Sequence, residues 1–176
     1  MKKEVNEALS LILQRKSVRN FRPGAITKTD LETILRAAMS APSARNTQPW
    51  EFVAVTDRHT LDALAGGLPY AKMLYQAGAA VVVCAIVEKA NERMLEYAIL
   101  DTCAATQNIL LAVEALGLGA VWTALYPRSE RMEHARMVLH IPDRIIPLCA
   151  IPIGHPTGED QPKEKYKADN IHWERW

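Results

Sequence analysis

The stretch from residue 92 to residue 116, with the sequence ERMLEYAILDTCAATQNILLAVEAL, decides the fold of this chain. Small and apolar residues recur along it at helical spacing and surround almost the whole predicted helix. Such a helix has little polar surface to turn toward water, so we expect it to be the buried central helix. Gly117 follows directly and is suited to end it, because glycine adopts the left-handed conformation of a helix C-terminus without strain.

A second apolar segment, AAVVVCAIV at 79–87, has no alternation of apolar and polar residues. This pattern predicts a strand that is covered on both faces. The last apolar run, at 145–153, contains Pro147 and Pro152, which favour an edge position or the ends of a strand. The prediction is a single α+β domain over 1–176. The other predicted helices are a first helix that ends near Arg15 and three that run from Thr27 to Pro42, from Asp57 to Leu64 and from Ser129 to Leu139. The other predicted strands lie at 52–55 and 120–125.

The charge balance excludes some classes of partner. The chain has 176 residues, with 21 Lys and Arg against 20 Asp and Glu, for a net charge of +1. A nearly neutral protein has no overall basic field, so we expect neither nucleic acid nor a membrane as a partner. Any anion site must therefore be built locally from a few cations.

The cysteines and the N-terminus predict a cytoplasmic location. Cys84, Cys103 and Cys149 lie far apart and show no metal-ligand or dithiol spacing, so we expect three buried, reduced thiols and no metal site. The segment Met1–Glu7 has no apolar stretch of the kind found in signal peptides.

The segment RKSVRNFR at 15–22 places four cations and a hydroxyl within eight residues. Arginine offers paired N–H donors and Ser17 a neutral one, a combination that could bind a phosphate group. The alternative is a solvated basic end of the first helix, favoured by the helix dipole.

The loop PSARNTQPW at 42–50 holds uncharged donors and acceptors between two prolines. Ser43, Asn46 and Gln48 suit recognition of a heteroaromatic edge, which presents donors and acceptors together. The alternative is a loop whose polar side chains satisfy their own backbone.

Dedicated catalytic motifs are missing from the sequence. In the segment GLGAVWTA at 117–124, the two glycines come before the predicted strand at 120–125, whereas a dinucleotide-binding glycine fingerprint follows a strand and opens a helix. No nucleophile elbow or histidine ligand spacing occurs, and we name no catalytic side chain. If the chain is an enzyme, a cofactor carries the difficult chemistry.

Taken in order, these segments resemble the FMN-dependent nitroreductase family. The resemblance runs from about Leu11 to the C-terminus and rests on several motifs in the family's sequence order. They are RKSVRNF at 15–21, PSARNTQPW at 42–50, the central helix from Asp101 to Leu111, GLGAVW at 117–122, PIGHP at 152–156 and KEK at 163–165.

The resemblance implies a homodimer with FMN at the subunit interface and a mostly antiparallel or mixed sheet surrounded by helices. It implies that Arg15, Ser17 and Arg19, with Lys163 and Lys165, hold the phosphate and ribityl chain, and that Lys16 also belongs to the cofactor site. Pro42, Ser43, Asn46 and Gln48 are expected to reach the flavin from the second subunit. Trp122, Thr123 and Ala124 are expected along the isoalloxazine, and the tail 154–176 is expected to pack on the partner.

The resemblance also implies an activity and leaves alternatives to it. The expected enzyme passes hydride from NAD(P)H through flavin N5 to a nitroaromatic, quinone or similar acceptor in two alternating half-reactions. One alternative is a flavin-binding protein that stores or senses flavin without turnover. Another is a different flavin reaction on the same scaffold, such as dehalogenation, enoate reduction or flavin breakdown.

The sequence also departs from the family pattern. Lys16 and Lys165 stand where arginine is more usual, and the second change loses the paired donors of a guanidinium. Ala124 and Leu125 replace a Glu-Gly pair found near the flavin in some larger members, so substrate preferences of those members are not transferred.

Overall fold

A computed structural model describes residues 6–176; the first five residues, which include most of the segment judged to lack a signal peptide, lie outside this range. The helices are α1 (Glu7–Gln14), α2 (Lys28–Met39), α3 (Arg58–Gly67), α4 (Leu95–Ala115) and α5 (Ser129–Leu139). The strands are β1 (Phe21–Arg22), β2 (Trp50–Val55), β3 (Ala79–Ala85), β4 (Gly119–Ala120), β5 (Thr123–Ala124) and β6 (Ile146–Pro156).

The strands form one sheet in the order β1-β6-β3-β2, and the short strands β4 and β5 also pair with β6. Every pairing between these strands is antiparallel. The predicted α+β class and the mostly antiparallel sheet are therefore confirmed.

Strand β3 is buried along its whole length, as its unbroken apolar sequence predicts. Alternate residues contribute to two cores on opposite faces of the sheet. Ala79, Val81 and Val83 pack with residues of α2 and α4, whereas Ala80, Val82 and Cys84 pack with residues of α3 and α5. Successive residues of β3 therefore face opposite sides of the sheet, as in any strand. The sequence shows no alternation of apolar and polar residues, because both sides are covered by apolar cores.

The expected edge position of the last strand is wrong. β6 pairs with β3 on one side and with β1, β4 and β5 on the other, so it lies inside the sheet. Pro147 lies beside the register shift between Val83 and Cys84. Pro152 pairs with Ala80 on the β3 side and lies between the segments that pair with β4 and β5 on the other. Both prolines thus occupy places where the ladder is already interrupted, which is where a sheet tolerates a missing N–H.

The central helix is shorter and less enclosed than its sequence predicts. It begins at Leu95, not Glu92, because Glu92 and Arg93 adopt left-handed backbone conformations with φ of 56° and 54°. Gly117, with φ of 69°, follows its end as expected. The inner face is buried on the sheet, but Leu100 on the outer face is 65% exposed.

One of the remaining element boundaries agrees with the predictions and one differs. Helix α5 spans Ser129–Leu139 as expected, with Arg128 in the capping position. Residues 154–156, expected in the tail, continue β6, so the extended tail begins at residue 157. Within residues 6–176, no helix has the length and hydropathy to cross a membrane.

Candidate functional site

The six cofactor-binding residues expected in the basic segment and the tail line one cavity of about 240 Å³. One wall is the segment after α1, and the other is the tail, which also contributes Asp160 and Gln161. The predicted cluster is therefore brought together across most of the chain. Its members are Arg15, Lys16, Ser17, Arg19, Lys163 and Lys165.

Two sets of hydrogen bonds position the walls of this cavity. The backbone N–H of Val18 donates to the carbonyl of Ala120 at 2.8 Å, which fixes the segment 15–19 beside β4. The carboxylate of Asp160 accepts from the backbone N–H groups of Arg19 at 3.0 Å and Asn20 at 3.2 Å. Asp160 thereby fastens the start of the tail to the basic segment, and Lys163 and Lys165 follow within five residues.

The cavity carries net positive charge. Among residues 6–176, the side chains of Arg15, Arg19, Lys163 and Lys165 form no ion pair within 4.0 Å. The carboxylate of Asp160 is engaged by backbone N–H groups. Four free cations and the Ser17 hydroxyl match the charge and hydrogen-bonding needs of a phosphate monoester, so the residues present fit the phosphate end of FMN.

Lys16 differs from the other cations of the cluster. Its Nζ lies 2.6 Å from Oε1 of Glu114, in the last turns of α4, and the side chains of the pair are 23% and 15% exposed. The side chain of Lys16 is therefore committed to the central helix, which leaves its backbone for contact with a ligand.

The loop 42–50 has a strained and internally bonded conformation. Arg45, Asn46 and Gln48 have φ of 52°, 58° and 50°, a region that residues with side chains rarely adopt. The backbone N–H of Gln48 donates to Oγ of Ser43 at 3.0 Å, and Nε2 of Gln48 donates to Oδ1 of Asn46 at 3.0 Å. Such strain is retained where the surrounding structure fixes it, and it is concentrated at ligand-binding sites.

Asp101 of α4 anchors this loop. Its two carboxylate oxygens accept from the backbone N–H of Ala44 at 3.2 and 3.1 Å. The loop therefore lies at the first half of α4, whereas Lys16 is attached to Glu114, thirteen residues further along the same helix. At a rise of about 1.5 Å per residue, these two anchor points are about 20 Å apart along the helix axis.

The third predicted group, Trp122 to Ala124, adjoins the basic segment through the bond from Val18 to Ala120. The hydroxyl of Thr123 donates to the carbonyl of Ala150 at 2.6 Å, so it is used inside the sheet. The indole of Trp122 packs partly against the core that contains α2 and α4. What this segment can offer a ligand is therefore mainly its backbone.

Three acidic residues with structural roles at the site escaped the sequence analysis. Asp160 fastens the tail, Asp101 anchors the loop 42–50, and Glu114 binds Lys16. Asp101 is the first residue of the central-helix motif, so the sequence marked its position. The sequence did not show that its partner is the backbone N–H of Ala44. Nothing in the local sequence marks Asp160 or Glu114, because their partners lie far away in the chain.

The three cysteines are free, and burial raises the pKa of each thiol. For Cys84, burial and the nearby Glu51 carboxylate raise the pKa to about 12. Cys84 and Cys149 are buried as expected, while Cys103 is only half-buried. Among residues 6–176, no group of three or more His, Cys, Asp or Glu side chains is placed to hold a metal ion.

Known proteins resemble this chain over almost its whole length. An Archaeoglobus fulgidus protein named "Putative NADH dehydrogenase/NAD(P)H nitroreductase" is 40% identical over 175 residues, which cover 98% of this chain and 100% of that protein. A crystal structure from Bacteroides thetaiotaomicron with the same name is 49% identical, with a TM-score of 0.90 over 97% of this chain and 99% of the other.

A crystal structure of a Desulfovibrio desulfuricans protein in complex with FMN is 30% identical, with a TM-score of 0.81 over 97% of this chain and 98% of the other. The sequence model of the Nitroreductase family matches residues 12–67 and 64–155. The matched ranges contain the basic segment, the loop 42–50, the central helix and β6, and on these grounds the chain belongs to the nitroreductase family.

Proposed function

We propose that this chain is an FMN-dependent oxidoreductase that takes electrons from NAD(P)H and passes them to a small aromatic or quinone-like acceptor in two alternating half-reactions. The observation that carries the proposal is the cavity between the basic segment and the tail, where four cations that have no acidic partner among residues 6–176 and a hydroxyl converge beside β4. Similarity to a protein bound to FMN and to one named for NAD(P)H supports the cofactor and the donor.

The residues of the chain have separate tasks in this proposal. Arg15, Ser17, Arg19, Lys163 and Lys165 would bind the phosphate and ribityl oxygens, and the backbone of Thr123 and Ala124 would face the isoalloxazine. The bound FMN supplies two-electron chemistry, which no side chain of the chain supplies itself. For a nitro acceptor, one NAD(P)H would deliver a hydride, one further proton would be taken up, and NAD(P)+, the nitroso product and water would be released.

We further propose that two copies of the chain complete each site. The anchor of the basic segment and the anchor of the loop 42–50 are about 20 Å apart along α4. A loop at that distance is better placed to contact a flavin held by another copy than one held by its own chain. Pro42, Ser43, Asn46 and Gln48 would then approach the flavin from the partner.

Exposed apolar side chains support such a dimer. None of the residues of α1 is buried, and Leu13 on this helix is 68% exposed. The tail presents Trp173 and Trp176, which are 81% and 100% exposed. Large apolar groups in such number mark an interaction surface, and a partner subunit would cover them with its own α1, α4 and tail.

We place the protein in the cytoplasm. All three cysteines are free, which fits a reducing compartment.

A visible absorption spectrum of the purified protein, recorded before and after anaerobic addition of NADH or NADPH, tests the function. We expect an oxidised flavin spectrum that is bleached by the nucleotide and restored by menadione or a nitroaromatic. A yellow protein whose spectrum neither nucleotide changes would instead be a flavin store or sensor. A colourless protein that does not bind added FMN would refute the cofactor assignment.

A further inference from the structure

An arginine of α5 contacts the backbone of β5, and the proposed cofactor does not use it. Arg131 lies in the first turn of α5, and its Nη1 donates to the carbonyl of Ala124 at 3.2 Å. Its guanidinium carbon lies 5.0 Å from the centre of the Tyr70 ring. The guanidinium is thus held between an aromatic face and the backbone of the segment proposed to line the flavin.

The charge of Arg131 is not neutralised. Among residues 6–176, no carboxylate lies within 4.0 Å of its guanidinium, and the nearby Glu133 is paired with Arg136. A guanidinium has five N–H donors, and the bond to Ala124 uses one of them. Several donors are therefore available to an anionic group that enters from solvent.

Tyr70 adds an aromatic surface beside this cation. Its buried neighbours Leu68 and Ala71 fix the backbone on each side, while the Tyr70 side chain is 73% exposed. Residues 68–71, 123–125 and Arg131 line one small pocket. A planar ring can stack on tyrosine while an acidic substituent reaches the guanidinium.

Resting on the proposed function, we propose that Arg131 and Tyr70 select the acceptor, and that they favour an aromatic compound carrying a carboxylate or sulfonate group. Arg131 would bind the anionic substituent directly, and Tyr70 would support the ring and hold the guanidinium in place. Neutral acceptors would still react, because the electrons reach them by the same route without this contact.

The test compares 4-nitrobenzoate with 4-nitrobenzamide, which have nearly the same shape and differ in charge. The flavin-loaded protein is photoreduced without oxygen and mixed rapidly with each acceptor, and the second-order rate constant of flavin reoxidation is measured. In Arg131→Gln we expect this rate constant to fall roughly tenfold for 4-nitrobenzoate, because one charge-assisted hydrogen bond is lost. For 4-nitrobenzamide we expect it to fall less than about twofold, because this acceptor has no charge for Arg131 to bind. Arg131→Lys should recover part of the loss.

The matched control is Arg128→Gln, which removes a nearby exposed positive charge outside the pocket. It should leave the ratio of the two rate constants within twofold of the wild-type ratio. Retention of one flavin per chain, measured by absorbance, shows that each variant is folded. If Arg128→Gln lowers the rate constant for 4-nitrobenzoate as much as Arg131→Gln does, the effect is a general attraction between opposite charges, and the proposal is overturned.

The experiment separates this inference from the proposed function. If photoreduced protein reduces 4-nitrobenzamide but Arg131→Gln leaves the ratio unchanged, the oxidoreductase stands and the acceptor assignment is wrong. If Arg131→Gln instead slows flavin reduction by NADPH and spares 4-nitrobenzoate, the arginine binds the donor's phosphates and the proposal is also overturned. If no variant or wild-type protein transfers electrons at all, the proposed function itself fails.

Discussion

The Oδ2 atom of Asp160 accepts a hydrogen bond from the backbone N–H of Arg19 at 3.0 Å, across 141 residues of sequence. This bond places an acidic side chain inside a cavity lined by cations. The bond joins the tail to the basic segment, so that the lysines of the tail lie beside the arginines of the basic segment.

We expect Asp160→Ala to weaken FMN binding roughly tenfold or more, because two hydrogen bonds to a charged group that hold the tail in place are lost. Asp160→Asn keeps an acceptor oxygen and removes a negative charge from beside the phosphate, so it should bind FMN at least as tightly as wild type. Fluorescence titration of the apoprotein with FMN measures both. Equal weakening by the two substitutions would show that the charge of Asp160, and not its position, matters.

Mixed dimers test whether two chains build each flavin site. Homodimers of Arg19→Ala and of Asn46→Ala should both bind FMN poorly. A heterodimer with one substitution in each chain, isolated through two different affinity tags, should contain one damaged and one intact site. We expect one FMN per dimer at wild-type affinity. Two equally weakened sites would mean that each chain binds its flavin alone.

The ion pair between Lys16 and Glu114 should contribute to stability. Lys16→Met leaves a mostly buried carboxylate without its partner, and we expect the free energy of unfolding in urea to fall by about 1–3 kcal/mol. The double variant Lys16→Met/Glu114→Gln should recover part of this loss. Lys28→Met is the control, since its pair with Glu32 is exposed, and it should change stability by less than about 0.5 kcal/mol.

Burial of Cys84 predicts a loss of stability at high pH. Its pKa is raised from 9.0 to about 12, so the folded protein keeps the thiol proton in an interval where the unfolded chain loses it. Because the folded state then binds more protons, its stability falls as pH rises above about 9, by about 1.4 kcal/mol per pH unit for one such group.

Urea unfolding of wild type and Cys84→Ala from pH 8 to pH 11 measures this effect. Whatever constant difference in unfolding free energy separates the variant from wild type, the stability of the variant should decline less steeply above pH 9. Cys103→Ala, in which the thiol removed is only half-buried, should change the slope less. Parallel curves for wild type and Cys84→Ala would contradict the assigned burial effect.

Local patterns account for much of the fold. The helical spacing in α4, the unbroken apolar run of β3 and the glycine after α4 each depend on residues close in sequence, and the structure confirms all three. The prolines of β6 misled the same kind of reasoning, since a local pattern does not show that the neighbouring strands are interrupted beside them.

By itself, the sequence determined the α+β class, the family and the residue types that form the basic cluster, because periodicity and motif order are properties of short stretches. Only the tertiary structure decided that Asp160 fastens the tail to the basic segment, that the Lys16 side chain pairs with Glu114, and that Arg131 of α5 contacts the backbone of β5. These relationships depend on hydrogen bonds and ion pairs between residues distant in the chain, which form only once the sheet and central helix have packed.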